Sequence, residues 1–137
     1  MALIAALEFG DNSIRRYSKR YLVADCNLVC DRSYNEFRPD SSARCERVEV
    51  SVVAPGKEDL NLFEWYASQS TQSGRIVISL STTGKSDTLD EQVIYFEDAK
   101  CFSLSEYYDI DSSNRRILRL GIMAEMIKVD DIKFYRR

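Results

Sequence analysis

The sequence contains no histidine. Its absence removes the commonest general base, the neutral imidazole metal ligand, and the usual Ser/His and Cys/His nucleophile pairs. Lys, Asp, Glu and Tyr remain as possible catalytic groups, but no enzyme is expected. There is no excess of positive charge either. The net charge of -3 gives no general attraction for a polyanion, so a nucleic-acid partner would need a local basic patch. No stretch approaches the ~20 apolar residues of a membrane span, and no membrane partner is expected. The opening MALIAALEFG lacks a basic start, and its apolar run stops at Glu8. A secretory signal needs both a positive start and a longer apolar core. The chain is expected to be made in the cytoplasm and, if exported, to leave without a signal peptide.

No CxxC pair is present among the four cysteines, Cys26, Cys30, Cys45 and Cys101. Cys26 and Cys30 fall in one expected strand. At ~3.3 Å per residue they stand ~13 Å apart, too far for one zinc or one disulfide. Without histidine no metal set is completed, and no cofactor is expected. The cysteines read as small buried apolar side chains.

What is there suits one soluble β domain. The 137 residues are 45% hydrophobic and 30% charged, with no repeat, linker or low-complexity tract, so residues 1–137 are expected to form one domain. Strand patterns dominate. Ala2 to Phe9 alternates loosely, and Gly10 to Ser13 is a turn cluster. A second strand falls within Tyr21 to Tyr34. Asn35 to Arg44 reads as an exposed loop. Cys45 to Val53 is the clearest strand: Val48, Val50 and Val52 share one face, and Arg47, Glu49 and Ser51 the other. Pro55-Gly56 ends it. One helix follows, with Asp59 or Asn61 as cap and Asn61/Glu64 resembling a capping box. Leu62, Trp65 and Tyr66 form its expected core-facing stripe. Arg75 to Ser81, Glu91 to Leu104 and Arg116 to Ile127 are further strands. The tail after Val129 is expected to add a short strand or to pack across an edge. The expected fold is mainly β: an antiparallel β-barrel of about six or seven strands with one α-helix. Several strands, Val93-Ile94-Tyr95-Phe96 above all, are apolar on both faces. One helix cannot cover both faces of such a sheet, so partner copies closing a ring are the natural cover.

Three constellations carry a chemical alternative. Arg15-Arg16-Tyr17-Ser18-Lys19-Arg20-Tyr21 is either a solvated loop with inter-ring contacts or the basic, aromatic patch of a small-barrel single-stranded nucleic-acid-binding module. Asp87, Asp90 and Glu91 read as an exposed polar turn. The alternative is a polysaccharide-acting carboxylate pair, for which no aromatic sugar platform lies nearby. Arg47, Glu49, Ser51, Arg119 and Glu125 lie on polar strand faces that either line a water-filled lumen or face plain solvent.

The ordered set of segments resembles a family. The start MALIAALEFG, the strand Val23 to Arg32, the loop Arg38-Pro39-Asp40-Ser41-Ser42 and the helix Asp59 to Trp65 are similar to the Hcp-like tube proteins of type VI secretion systems, in the branch called TssD. So are Gly74 to Ile78, Ile94 to Cys101 and Leu118 to Lys128. The likeness runs through nearly the whole chain in the right order. Phe37 stands where a glycine usually precedes the arginine–proline pair.

The resemblance implies a structural protein: a homo-hexameric ring of β-barrels, stacked into a hollow tube inside a contractile sheath and capped by a spike. It also implies secreted effectors carried in the lumen and export through the type VI machine. On that reading Arg15, Arg16, Lys19, Arg20, Phe37, Arg38, Pro39 and Asp40 are the expected ring-stacking residues. Arg47, Glu49, Ser51 and Arg119 are the expected lumen residues, and Leu62, Trp65 and Tyr66 the structural core. A nucleic-acid partner is not expected.

Overall fold

The long alternating segments become strands in a computed structural model that describes the backbone of residues 2–31, 34–35, 38–39, 44–56, 58–81, 90–109 and 115–135. Side chains are described for 4–29, 47–56, 58–79, 91–107 and 116–134. The strands are β1 (Ala2–Asp11), β2 (Arg16–Asp31), β3 (Tyr34–Asn35), β4 (Arg38–Pro39) and β5 (Arg44–Val53). After helix α1 (Asn61–Ser68) come β6 (Gln72–Ser81), β7 (Asp90–Asp109), β8 (Arg115–Met123), β9 (Met126–Val129) and β10 (Ile132–Tyr135). The main ladder runs β10-β9-β7-β6-β1-β2-β5-β8, and β8 pairs back onto β7, which closes a six-stranded antiparallel barrel.

Two long strands turn the barrel's corners. The first half of β2 pairs with β1, and its second half pairs with β5, with a bulge between Val23 and Asp25. β7 likewise pairs with β6 and then with β8, and Asp98 adopts a left-handed φ of 50° between the two halves. Bulges of this kind bend a strand and raise its twist, which a small closed barrel requires. The result is one wall of β1, β6 and the first halves of β2 and β7. The opposite wall holds β5, β8 and the second halves.

The interior is filled from both walls. Leu7, Phe9, Tyr21, Ile76, Ile94 and Phe96 meet Val48, Val50, Val52, Leu118, Leu120 and Ile122. Val48, Val50 and Val52 of β5 have no exposed surface, each stabilising the fold by roughly 1.5–3 kcal/mol. Phe9 is the centre of an aromatic cluster, with edge-on contacts to Trp65 at 5.1 Å and to Tyr21 and Phe96 at 5.9 Å each. Helix α1 closes this cluster through buried Leu62 and Trp65, and the Trp65 Nε1–H donates to the carbonyl of Ala99 at 3.1 Å.

Several sequence expectations need correction. Tyr66 does not belong to the core: it is 44% exposed on the flank of α1. The capping box is absent. Leu60 is the N-cap and makes no side-chain cap bond, while the Asp59 carboxylate accepts the Asn61 N–H at 3.0 Å. β2 starts at Arg16, five residues before the expected Tyr21, and β7 runs to Asp109. The expected last strand breaks at Ala124–Glu125. β8 ends opposite Lys100, and β9 resumes opposite Glu97 across the same corner that Asp98 makes in β7. After the break Ile127 is buried and Met126 only partly so. The tail adds β10, paired with β9. Thr82 to Thr88 and Leu89, with the candidate Asp87, lie outside the described residues, and of the carboxylate cluster only Glu91 has a described, exposed side chain.

Candidate assembly surfaces

Register decides which outward residues become neighbours. On the first wall, Ala6 stands opposite Leu22 and Val77, Glu8 opposite Arg20 and Arg75, and Ile4 opposite Ser79. Ile4, Ala6, Glu8, Arg20, Arg75, Val77 and Ser79 line a recess of about 240 Å³ with Glu91, and Leu22 shares their outward face beside Ala6. The apolar part of this outward face is open: Ile4 is 48% and Leu22 55% exposed. Its charged end is ordered. Glu8 accepts from Arg75 Nε at 2.8 Å and lies 4.0 Å from Arg20 Nε. The Arg75 guanidinium stacks over Tyr17 at 4.2 Å. Burial is the main cause that raises the Tyr17 hydroxyl above its ordinary pKa. An apolar strip with an organised ion pair at one end has the make-up of a protein-binding face.

The opposite wall presents a different outer surface. Asp25 stands opposite Ser51, Asn27 opposite Glu49, and Ser51 opposite Arg119 in the next strand. Ser103 and Ser105 continue this face across Gly121 and Arg119. The four expected lumen residues, Arg47, Glu49, Ser51 and Arg119, thus share one surface. Arg47 Nε donates to Glu49 at 2.7 Å, and Arg119 donates to the Ser51 hydroxyl at 3.2 Å and lies 3.9 Å from Asp25. Ser51 itself is buried. Two cations face two carboxylates, so the surface is polar and close to neutral.

The basic run is not a loop. Arg15 takes the left-handed conformation that closes the β1–β2 turn, with φ 54°. Residues 16–21 form the start of β2, where alternation splits the run. Arg20 joins Glu8 on the outer wall, while Lys19 lies 3.6 Å from Asp59. Half of the cations therefore already face carboxylates and do not form one continuous cationic strip. Arg15 and Arg16 remain exposed, and Arg15 shares a shallow recess with Lys128, Lys133 and Glu97. Asn12 holds this turn in place: its side-chain amide donates to the carbonyls of Gly74 and Phe96, at 3.0 and 3.2 Å, and to Glu97 at 2.9 Å. Its oxygen accepts from Tyr17 at 2.6 Å.

Of the remaining stacking candidates, Arg38 and Pro39 form β4. There Asn35 pairs with Arg38 and Tyr34 with Pro39, so these residues belong to a short hairpin beyond the β2–β5 ladder. Phe37 and Asp40 lie outside the described residues. Among the described residues no cluster of three metal-capable side chains occurs, and no helix is long and apolar enough to cross a membrane. The thiols of Cys26 and Cys101 are pushed up to about 11 by burial, as suits packing groups rather than ligands.

Sequence reasoning missed the Ile4–Leu22–Val77 strip. Its signal was present in β1, which is apolar on both faces until Glu8, but the partners of that second face depend on register.

The same architecture recurs in solved structures. Hcp1 from Flavobacterium johnsoniae is 19% identical, with a TM-score of 0.71 over 97% of this chain and 99% of that one. Hcp1 from the E. coli EAEC 042 pathovar is 9% identical, with a TM-score of 0.65 over 98% and 96%. A chain of the anti-feeding prophage baseplate is 11% identical, with a TM-score of 0.51 over 94% and 92%. These likenesses concern the fold. No curated protein matches the chain. The profile of the family described as hemolysin coregulated protein Hcp (TssD) matches residues 1–137. The chain therefore belongs to the Hcp (TssD) family of tube proteins, a structural family and not an enzyme family.

Proposed function

We propose that six copies of this chain close into a ring and that rings stack into the hollow tube of a type VI secretion machine. The observation that carries the reading is the contrast between the two outer walls. The Ile4–Leu22–Val77 strip, ended by the Glu8–Arg75 pair, suits burial against a neighbouring copy. The polar wall around Glu49, Ser51 and Arg119 suits a water-filled lumen. Six-fold closure is supported by the fold's likeness to a chain of a baseplate described as six-fold symmetrised. A near-neutral lumen would let small secreted effectors bind through polar contacts without holding them too tightly to release. Sheath and spike proteins are the further partners, and export runs through the machine itself.

Native mass measured by light scattering behind size-exclusion chromatography tests the ring. The expected mass is near six chains for the wild type and one chain for Leu22→Asp, with unchanged circular dichroism. Leu22 is more than half exposed, so its charge is tolerated in the monomer. A wild type that runs as a clean monomer overturns the ring, and a six-chain Leu22→Asp removes the strip from its interface.

A further inference from the structure

We propose that Cys30 and Cys45 are a disulfide site that staples the root of the β2–β5 arm when the protein meets an oxidising thiol pool. The argument rests on register. The antiparallel ladder sets Cys30 directly opposite Cys45, one step beyond a bulge between Val29 and Cys30. Opposed residues in such a ladder have Cα atoms ~4.5–5.5 Å apart. Disulfides span Cα separations of ~4.4–6.8 Å. The backbone therefore already holds the pair at bonding distance.

The other two cysteines provide an internal comparison. Cys26 stands opposite Val50 and Cys101 opposite Ile122, so neither has a cysteine across the ladder. Cys101 is buried and donates to the Ser103 carbonyl at 3.2 Å. Both pack against the core.

The position gives the bond a consequence. After Asp31 and Arg44, the last pair of the ladder, the chain continues into the β3–β4 hairpin with Arg38 and Pro39. A bond between residues 30 and 45 closes that arm as a loop. Such a bond restricts the arm's unfolded states and holds its two legs together, without constraining the barrel below.

The chemistry balances with a low-molecular-weight disulfide as oxidant. One thiolate of the pair attacks oxidised glutathione and releases one glutathione thiol. The opposed thiolate then attacks the protein sulfur of the mixed disulfide and expels the second. The protein loses two hydrogens and two electrons, and one oxidised glutathione becomes two reduced molecules. Reducing cytosol opposes the bond, and an oxidising exterior favours it.

The test treats the purified full-length protein with excess oxidised glutathione, alkylates remaining thiols after denaturation, and reads intact mass and non-reduced peptide maps. The expected wild-type product carries no glutathione, has lost two hydrogens, and retains alkylation on Cys26 and Cys101 only. The expected non-reduced map joins the peptide holding Cys30 to the one holding Cys45. Cys26→Ser forms the same link. Cys30→Ser stops at a glutathione adduct on Cys45. Wild type that accumulates the adduct without closing, an intermolecular dimer, or a link surviving in Cys30→Ser each overturns the proposal. These outcomes do not depend on subunit number, so the site and the ring stand or fall separately.

Discussion

At the scale of single residues, Trp65 is the best-defined anchor. It joins three roles: it fills the space beneath α1, packs edge-on against Phe9, and satisfies the Ala99 carbonyl. Trp65→Ala should cost ~3–5 kcal/mol, the range for truncating a buried aromatic. Trp65→Phe keeps much of the packing but leaves the carbonyl without its donor, and should cost about 1–3 kcal/mol. Urea unfolding of the three proteins separates the two contributions. A Trp65→Phe protein as stable as the wild type would mean that the hydrogen bond contributes nothing, whereas equal costs for the two variants would mean that the ring's packing adds nothing beyond it. Leu62 and Trp65 were legible from helical spacing. Tyr66 was not, because positions 65 and 66 both lie within reach of Leu62's face in an eight-residue helix. Only docking decides which one faces inward; Tyr66 instead borders a recess with Lys100 and Phe102. Tyr21 also became defined only in three dimensions. Its hydroxyl donates to Asp59, and burial is the first cause that pushes it up to about 12.

At the scale of elements, legibility follows how far a strand stays on one wall. β5 pairs with β8 without a register shift, and Val48, Val50 and Val52 alternate as the sequence predicts. β2 and β7 each serve two walls, so a residue spent at the corner shifts the alternation. That is why the basic run looked like a loop, and why the stretch from Ile122 to Ile127 looked like one strand. Close approach of backbones is equally hidden in sequence. Gly74 sits opposite Phe9, and a methyl group there would collide with the carbonyl of Glu8 and come within 3.0 Å of the Phe9 Cα. The neighbours are backbone atoms of a paired strand, which cannot swing aside as a side chain can. Gly74→Ala should therefore lower stability by about 1–3 kcal/mol, the range for overpacking. Gly56→Ala, where no atom lies within 4 Å, is the control and should change little. A thermal melt that moves equally for both would show that β1 and β6 separate without strain.

At the scale of the whole molecule, the proposed ring and tube would assign different parts of the barrel's surface to different contacts. A ring that is permanent needs apolar burial between copies, whereas rings that stack and later come apart need contacts that are weaker and more polar. The Ile4–Leu22–Val77 strip fits the first demand. The turn that presents Arg15 beside Lys128 and Lys133, with exposed Arg16 next to it in the chain, fits the second. Charge at that end should act between rings and not within one. Arg15→Glu combined with Arg16→Glu should leave the native mass near six chains and abolish stacks under tube-forming conditions, read by electron microscopy. Both side chains are exposed, so the monomer's melting temperature should stay within a degree or two of wild type. Wild-type stacking should also weaken as salt rises, since exposed charges more than ~10 Å apart are screened at 0.1 M ionic strength. If the double variant stacks as the wild type does, the turn is solvated, and the axial contact must come from the β3–β4 arm instead. If the variant loses the ring as well, lateral and axial contacts share this turn, and the division of labour between the surfaces fails.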